Sequence, residues 1–169
     1  MIILYTGNGK GKTTAALGQM YRAIGQGMRV CIIQFIKGKW KTGEMLASQS
    51  FSNNLTFKTM GEGFTWNSKD INKDIEAARF AWETAKDSIN SSKYDMVILD
   101  ELTYLIKYKI ITNEEVIEFL KNRPNNIHII ITGRDASNEL IEVSDLVTEM
   151  KEIKHPYKSG IEAIKGIEY

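Results

Sequence analysis

The feature that most constrains the fold is a glycine-rich loop between an apolar strand pattern and a helical pattern. The segment reads MIILYTGNGKGKTTAALGQ, in which the apolar residues 2–5 run into Gly7, Gly9 and Gly11. Glycine lets backbone N–H groups converge on an anion without interference from a Cβ atom. A strand, such a loop and a helix N-terminus form the context that a phosphate-binding loop requires. A nucleotide triphosphate site is therefore favoured over a plain turn.

The spacing of this loop is one residue shorter than usual. The usual pattern places four residues between a glycine and Gly-Lys-Ser/Thr, but here Thr6 stands where that glycine is expected, ahead of Gly11-Lys12-Thr13. Lys12 is expected to reach phosphate oxygens, and the Thr13 hydroxyl is expected to hold Mg²⁺ (or Mn²⁺). The predicted nucleotide-binding residues of the loop are Gly7, Asn8, Gly9, Lys10, Gly11, Lys12, Thr13 and Thr14.

Short apolar runs alternate with helical patterns along the whole chain. Strands are predicted at residues 2–5, 30–36, 55–60, 96–99, 128–132 and 146–150. Helices are predicted at residues 13–26 and 70–90, and from a capping box at 112–115 to Pro124. This alternation predicts an α/β fold with a mostly parallel sheet flanked by helices. Because no linker or repeat interrupts the pattern, residues 1–169 are expected to form a single domain.

Composition argues against several classes of function. The net charge of +1, from 22 basic and 21 acidic residues, gives no overall field for holding DNA, RNA or an anionic membrane. No apolar run approaches the roughly 18 residues of a membrane span, and the amino end lacks a signal-peptide pattern. The single cysteine, Cys31, lies in the apolar run VCIIQFI and is expected in the core. A cytoplasmic protein is predicted.

A pair of acidic residues stands at the end of another predicted strand. The stretch YDMVILDEL ends its apolar run at Asp100-Glu101. Ligands of parallel α/β sheets bind at the carboxyl ends of strands, and a carboxylate there commonly holds the metal beside a phosphate loop. Asp100 and Glu101 are therefore predicted metal contacts together with Thr13, and spacing does not distinguish between the two acids. Three further polar residues sit at or just beyond predicted strand ends without an assigned role: Gln34, Lys37 and Arg134.

Six segments make the chain recognisable: TGNGKGKTTAALG, VCIIQFIKG, MGEGFTW, VILDELTYLI, IIITGRDA and DLVTEMKEIKHPYKSGIEAIKGIEY. They occur in the same order as in the ATP:corrinoid adenosyltransferases of the CobA/BtuR/CobO type, and the chain resembles that family over essentially its full length. The loop alone is weakly specific, although its shortened spacing also matches the family. MGEGFTW, LDELTY and KHP…G…GIEY are highly specific in combination.

The resemblance implies a RecA-like P-loop architecture and a transferase. Such an enzyme moves the 5′-deoxyadenosyl group of ATP to the Co(I) centre of a corrinoid (cobalamin or cob(I)yrinic acid a,c-diamide) and releases triphosphate. ATP is implied to lie in the loop in the reverse sense to ordinary P-loop NTPases, which leaves the ribose C5′ open to cobalt. A homodimer and an external electron donor of flavoprotein type are also implied. Many members carry a further N-terminal segment over the active site, ahead of the point where this sequence starts.

The resemblance also assigns roles to single residues. Lys12 is implied to act in catalysis, and Arg22, on the first predicted helix, matches an arginine of the nucleotide site. Phe64 and Trp66 match the aromatic pair of the corrinoid pocket, which keeps the lower axial ligand off cobalt and so eases reduction of Co(II). From the residues alone, core packing explains these two aromatic side chains equally well, although the flanking glycines indicate a loop.

Two other functions remain open from the residues alone. One is a P-loop ATPase or kinase that acts at the γ-phosphate, and the other is a nucleotide-dependent RecA-like binding module without catalysis. The shortened loop and the GEGFTW segment favour the adenosyltransferase. A motor or filament protein would be expected to show a basic surface for nucleic acid, which the net charge does not indicate.

Overall fold

Six strands form one sheet in the computed structural model, which describes residues 1–36, 41–61 and 71–167. The strands are β1 (Ile2–Thr6), β2 (Val30–Gln34), β3 (Leu55–Thr59), β4 (Met96–Asp100), β5 (His128–Thr132) and β6 (Leu146–Glu149). Their order across the sheet is β3-β2-β4-β5-β1-β6, and every described pairing is parallel. The predicted α/β fold with a parallel sheet is confirmed, and each predicted strand is present with its ends within two residues of the expected positions.

Helices flank the sheet on both faces. They are α1 (Lys12–Gly25), α2 (Gly43–Ser48), α3 (Ile71–Asn90), α4 (Leu102–Lys107), α5 (Asn113–Lys121) and α6 (Asn138–Val143). The three longest, α1, α3 and α5, are the predicted ones. The other three have six residues each, which is too short for a recurring apolar stripe to reveal them. Within the described ranges, none of these helices has the length and apolar character needed to cross a membrane.

The inner strands are buried on both faces because alternate residues enter two separate apolar layers. Ile32 and Ile98 pack into the layer that contains α1, whereas Ile33 and Leu99 pack into the layer that contains α3, α4 and α5. Cys31 is fully buried in the second layer, as predicted. This double coverage explains why the strands read as continuous apolar runs in the sequence.

The second layer joins α3 to α5 through a tryptophan. Trp82 is buried in the predicted apolar stripe of α3, but Ile71, the first member of that stripe, is 60% exposed. Thr112 Oγ1 accepts the backbone N–H of Glu115 at 3.1 Å, as the capping box predicts. The Glu115 carboxylate, however, accepts the indole N–H of Trp82 at 2.5 Å. The cap of α5 and the packing of α3 are therefore linked through one side chain.

The chain that follows β6 packs directly against the glycine loop that follows β1. Gly9 N donates to Met150 O at 2.6 Å, and Met150 N donates to Thr6 O at 2.8 Å. A Cβ atom on Gly7 would lie 2.6 Å from Met150 O, and one on Gly9 would lie 2.8 Å from the same oxygen. Since Cβ atoms do not approach other atoms so closely, both positions require glycine for packing within the protein as well as for any ligand.

Replacing Gly9 with alanine is expected to lower the free energy of unfolding by about 1–3 kcal/mol, because the new methyl group would be forced against backbone atoms of Met150 and Lys151. Urea unfolding measures the change. Gly18→Ala is the matched control, since a Cβ at Gly18 in α1 meets no atom within 4 Å. That substitution is expected to raise stability by about 0.5–1 kcal/mol. A Gly9→Ala variant as stable as Gly18→Ala would contradict this account of the loop.

Candidate functional site

A cleft of about 520 Å³ opens beyond the carboxyl ends of β1, β4 and β5. The glycine loop and the first turn of α1 form one wall. The residues just after β4 and β5 form another, and Gly43-Glu44 and Gly166-Ile167 complete the lining. The carboxyl edge of a parallel sheet is where ligands of α/β proteins bind. The cleft is therefore the candidate site.

Most of the predicted nucleotide-binding residues line this cleft: Gly9, Lys10, Gly11, Lys12, Thr13 and Thr14. Gly7 instead packs on the chain after β6, and Asn8 is exposed outside the lining. Arg22 is exposed in the last turn of α1, ten residues beyond Lys12, which is about 15 Å along the helix axis. Arg22 lies outside the lining of this chain's cleft, so its nucleotide role stays a prediction.

The N-terminus of α1 gives the cleft an affinity for anions. Gly11 precedes the helix with φ of +107°, in the left-handed region that favours glycine, and no acidic residue occupies the first turn. The first amides of a helix have no intrahelical partner, and the helix dipole adds positive potential at that end. Because Lys12, Thr13 and Thr14 of this turn line the cleft, a phosphate placed there would meet both the amides and the dipole.

Lys12 adds a positive charge to the same wall. Its Nζ donates to Gly7 O at 2.7 Å and to Gly9 O at 2.6 Å, so the ammonium group lies over the loop. Burial lowers the pKa of Lys12, and the nearby charge of Arg134 lowers that pKa further, against the opposite effect of Glu101. An ammonium group destabilised in this way gains from a bound anion, which is the behaviour expected of a phosphate-binding lysine.

Asp100 lies behind the cleft at the centre of a hydrogen-bond network. Its carboxylate is buried, and Oδ1 accepts Thr13 Oγ1 at 2.9 Å and Thr132 Oγ1 at 2.7 Å. Oδ2 accepts Gln34 Nε2 at 3.1 Å. These four residues join α1 and the ends of β2, β4 and β5. With three donors already directed at it, the Asp100 carboxylate fixes the position of the Thr13 hydroxyl, and Asp100 is not among the residues that line the cleft.

Glu101, the next residue, does line the cleft. Its backbone has φ of 65° and ψ of 30°, in the left-handed region, immediately before α4. A residue other than glycine reaches this region at a cost of order 1–3 kcal/mol. Its backbone N–H donates to Thr132 Oγ1 at 2.8 Å, which helps to hold this conformation. The two predicted acids therefore differ in position: Glu101 faces the ligand space, and Asp100 supports it from behind.

Sequence reasoning missed several residues of the cleft. Thr132 ends β5 and Arg134 lies two residues beyond it, so the rule that ligands bind at strand ends could have placed both there. That rule singled out Arg134 only without a role. Tyr104 lies in the first turn of α4, where burial and then Glu101 raise the pKa of its phenol. Gly43-Glu44 carry no motif that reveals them, because tertiary folding alone brings them to the cleft. Gly166-Ile167 begin the GIEY end of a segment that carries the family resemblance, but their place in the cleft was not predicted.

Three of the residues considered above lie outside the described residues: Lys37, Phe64 and Trp66. The two aromatic residues belong to the MGEGFTW segment, and the segment's first glycine, Gly61, is described. A Cβ atom on Gly61 would lie 2.3 Å from Phe35 O, just past the end of β2. The start of the segment is therefore packed tightly against the chain that leaves the carboxyl edge of the sheet.

Comparison with known proteins gives a consistent result over the whole chain. Residues 1–169 match the family model described as ATP:corrinoid adenosyltransferase BtuR/CobO/CobP. A corrinoid adenosyltransferase of Sinorhizobium sp. is 47% identical, with the match covering all of this chain and 80% of that protein. A corrinoid adenosyltransferase of Escherichia coli K12 is 43% identical, and corrinoid adenosyltransferase CobA of Salmonella typhimurium is 41% identical. Each match covers all of this chain and 85% of the relative. This chain belongs to the ATP:corrinoid adenosyltransferase family.

Proposed function

We propose that this protein transfers the 5′-deoxyadenosyl group of ATP to the Co(I) centre of a corrinoid. A cobalt–carbon bond forms at C5′, the C5′–O5′ bond breaks, and its electron pair leaves with the triphosphate. The cobalt supplies two electrons and becomes formally Co(III). The observation that carries the proposal is the anion-binding cleft, built on the family's shortened loop, in a chain that matches the family from end to end.

The residues of the cleft suit a reaction in which triphosphate is the leaving group. The negative charge grows on the polyphosphate as the C5′–O5′ bond breaks. Lys12 and the N-terminal amides of α1 are already positioned along the wall of the cleft, so they stabilise that charge without reorganising. The same groups bind the triphosphate whichever way ATP lies in the loop. Release of triphosphate instead of ADP requires only that C5′ faces the corrinoid.

The residues fit a divalent metal bound partly by the nucleotide. In the part of the chain that the structure describes, no group of three or more His, Cys, Asp or Glu side chains is placed to hold a metal. Mg²⁺ suits such a site because it commonly takes one or two carboxylates and completes its shell with phosphate oxygens and water. We assign the contacts to Thr13 and Glu101, with Asp100 orienting Thr13. When bound, Mg²⁺ (or Mn²⁺) neutralises charge on the triphosphate.

The resemblance supports further parts of the proposal. A RecA-like P-loop architecture, a homodimer and an electron donor of flavoprotein type are the arrangement that it implies for this chain. The strand order agrees with the first of these, since it brings the glycine loop after β1 and Glu101 after β4 to one cleft. The dimer is testable by light scattering in solution. Chemical reduction of the corrinoid bypasses the electron donor and allows the transfer step to be measured alone.

Analysis of the products of ATP tests the reaction directly. With chemically reduced corrinoid, intact triphosphate is expected in a one-to-one ratio with adenosylated corrinoid, and little ATP is expected to be consumed when corrinoid is left out. Chromatography of the nucleotides and absorbance of the cobalt–carbon product measure both. ADP and phosphate formed without corrinoid would instead establish a γ-phosphate ATPase. No turnover with reduced corrinoid present would favour the binding module.

Lys12→Ala is the matched variant for the same assay. Its rate of adenosyl transfer is expected to fall about a hundredfold, because the charge that develops on the triphosphate loses its stabilising ammonium group.

The two acids are expected to respond differently to substitution. Glu101→Gln should raise the Mg²⁺ concentration for half-maximal transfer about tenfold, because one charged contact is weakened. Asp100→Asn should lower the free energy of unfolding by about 1–3 kcal/mol, since the buried network loses its charged acceptor. Activity across a Mg²⁺ titration and urea unfolding measure the two effects. The assignment of Glu101 is overturned if Asp100→Asn shifts the Mg²⁺ response while Glu101→Gln leaves it unchanged.

For Phe64 and Trp66 we propose the corrinoid role that the resemblance implies. Phe64→Ala and Trp66→Ala should lose more activity when the reaction starts from Co(II) corrinoid than when it starts from Co(I), because the proposed role precedes alkyl transfer. Phe80→Ala is the control, since Phe80 is an exposed aromatic residue of α3. Equal losses from both starting states would show that the pair acts only in packing or binding.

A further inference from the structure

The lining of the cleft is not uniformly polar. Its charged and hydroxyl side chains are joined by three large side chains that carry apolar surface: Leu17, Tyr104 and Ile167. Leu17 also packs against the core layer that contains α1, and the Tyr104 ring lies 5.8 Å from that of Tyr108 between centroids. Among the described residues, Ile167 belongs to neither core layer, and it is 74% exposed. Its apolar surface is therefore available to a ligand.

A closed turn carries Ile167 at the mouth of the cleft. Ile167 N donates to Ile164 O at 3.1 Å, and Gly166, the third residue of this turn, has φ of +82°. A type II turn requires a positive φ at that position, which glycine adopts without steric cost. The backbone of the turn, rather than packing of the Ile167 side chain, thus sets the direction in which that side chain extends.

The segment that ends in this turn begins on the glycine loop. Its first residue, Met150, accepts the backbone N–H of Gly9 at 2.6 Å, and an ion pair between Glu152 and Lys158 holds the chain farther along. Both Gly9 and Ile167 line the cleft. The C-terminal segment therefore meets the ligand space at a wall of its own while it is anchored to the loop that faces the phosphates.

The shape and polarity of the cleft indicate which part of a ligand meets Ile167. A volume of about 520 Å³ lies within the range of roughly 300–1,000 Å³ that holds a whole small-molecule ligand. The polar walls match the triphosphate and its metal, whereas the adenine ring and the ribose carbons supply the apolar surface of ATP. A corrinoid is larger than ATP and extends beyond a cleft of this size.

We propose that Ile167 packs against the adenosine of ATP, so that the C-terminal segment forms part of the nucleotide site. The inference rests on the proposed function, which names ATP as the ligand. Contact with the nucleoside removes the exposed apolar surface of Ile167 from water, which is favourable in proportion to the area covered. The loop and the segment then divide the ligand between them, with the phosphates on the loop and the nucleoside on Ile167.

Comparison of ATP with inorganic triphosphate tests this inference without corrinoid chemistry, because the two ligands differ only in the nucleoside. In isothermal titration calorimetry with Mg²⁺, the full-length Ile167→Ala protein is expected to bind ATP about five- to tenfold more weakly than the unsubstituted protein, as for the loss of a partly buried apolar side chain. Its affinity for triphosphate should not change. Ile167→Leu keeps the apolar surface and should recover most of the affinity for ATP.

Ile164→Ala is the matched control, because Ile164 is an exposed isoleucine of the same turn outside the lining of the cleft. It should bind ATP as tightly as the unsubstituted protein, and urea unfolding checks that each variant keeps its fold. The inference is overturned if Ile167→Ala binds ATP normally, if it loses affinity for triphosphate equally, or if only its KM for corrinoid rises. If ATP binding depends on Ile167 but no adenosylated corrinoid forms, the proposed function fails while the nucleoside contact stands.

Discussion

The buried carboxylate of Asp100 is the interaction on which the geometry of the cleft depends. An ionised carboxylate inside a protein is costly unless hydrogen-bond donors surround it. Here Thr13, Thr132 and Gln34 supply those donors, and each comes from a different element. The need to satisfy one buried charge therefore fixes the start of α1 relative to the ends of three strands. Glu101 follows Asp100 directly and is carried to the cleft wall by the same constraint.

The glycine loop is held from both sides. On one side, Lys12 and the first turn of α1 face the ligand space. On the other side, the backbone of Met150 occupies the volume that side chains at Gly7 and Gly9 would need. A loop one residue shorter than usual follows a tighter path, and the chain after β6 supports that path through the bond from Gly9 N to Met150 O. The glycines thus serve packing as well as the proposed phosphate binding, which makes them difficult to replace.

The electrostatics of the cleft follow from the way the acids are distributed. Asp100 is turned away from the ligand space by its hydrogen bonds, and Asp135 and Glu152 are paired with lysines. The cleft itself is lined by three cations, Lys10, Lys12 and Arg134, and by two acids, Glu44 and Glu101. The cations suit a phosphate chain, and the acids suit a divalent metal that accompanies it. This agrees with a nucleotide triphosphate as the ligand.

The sequence by itself determined the class of fold, the loop and the strand-end acids, because each depends on local pattern: apolar runs, alternate glycines and a carboxylate after a strand. It also carried the resemblance that the family comparison confirmed. Only the tertiary structure distinguished Asp100 from Glu101, since adjacent residues differ in exposure through contacts with Thr132 and other distant donors. Only the tertiary structure placed Arg134 beside Lys12, because the packing of β5 against β1 brings together side chains that lie far apart in the chain.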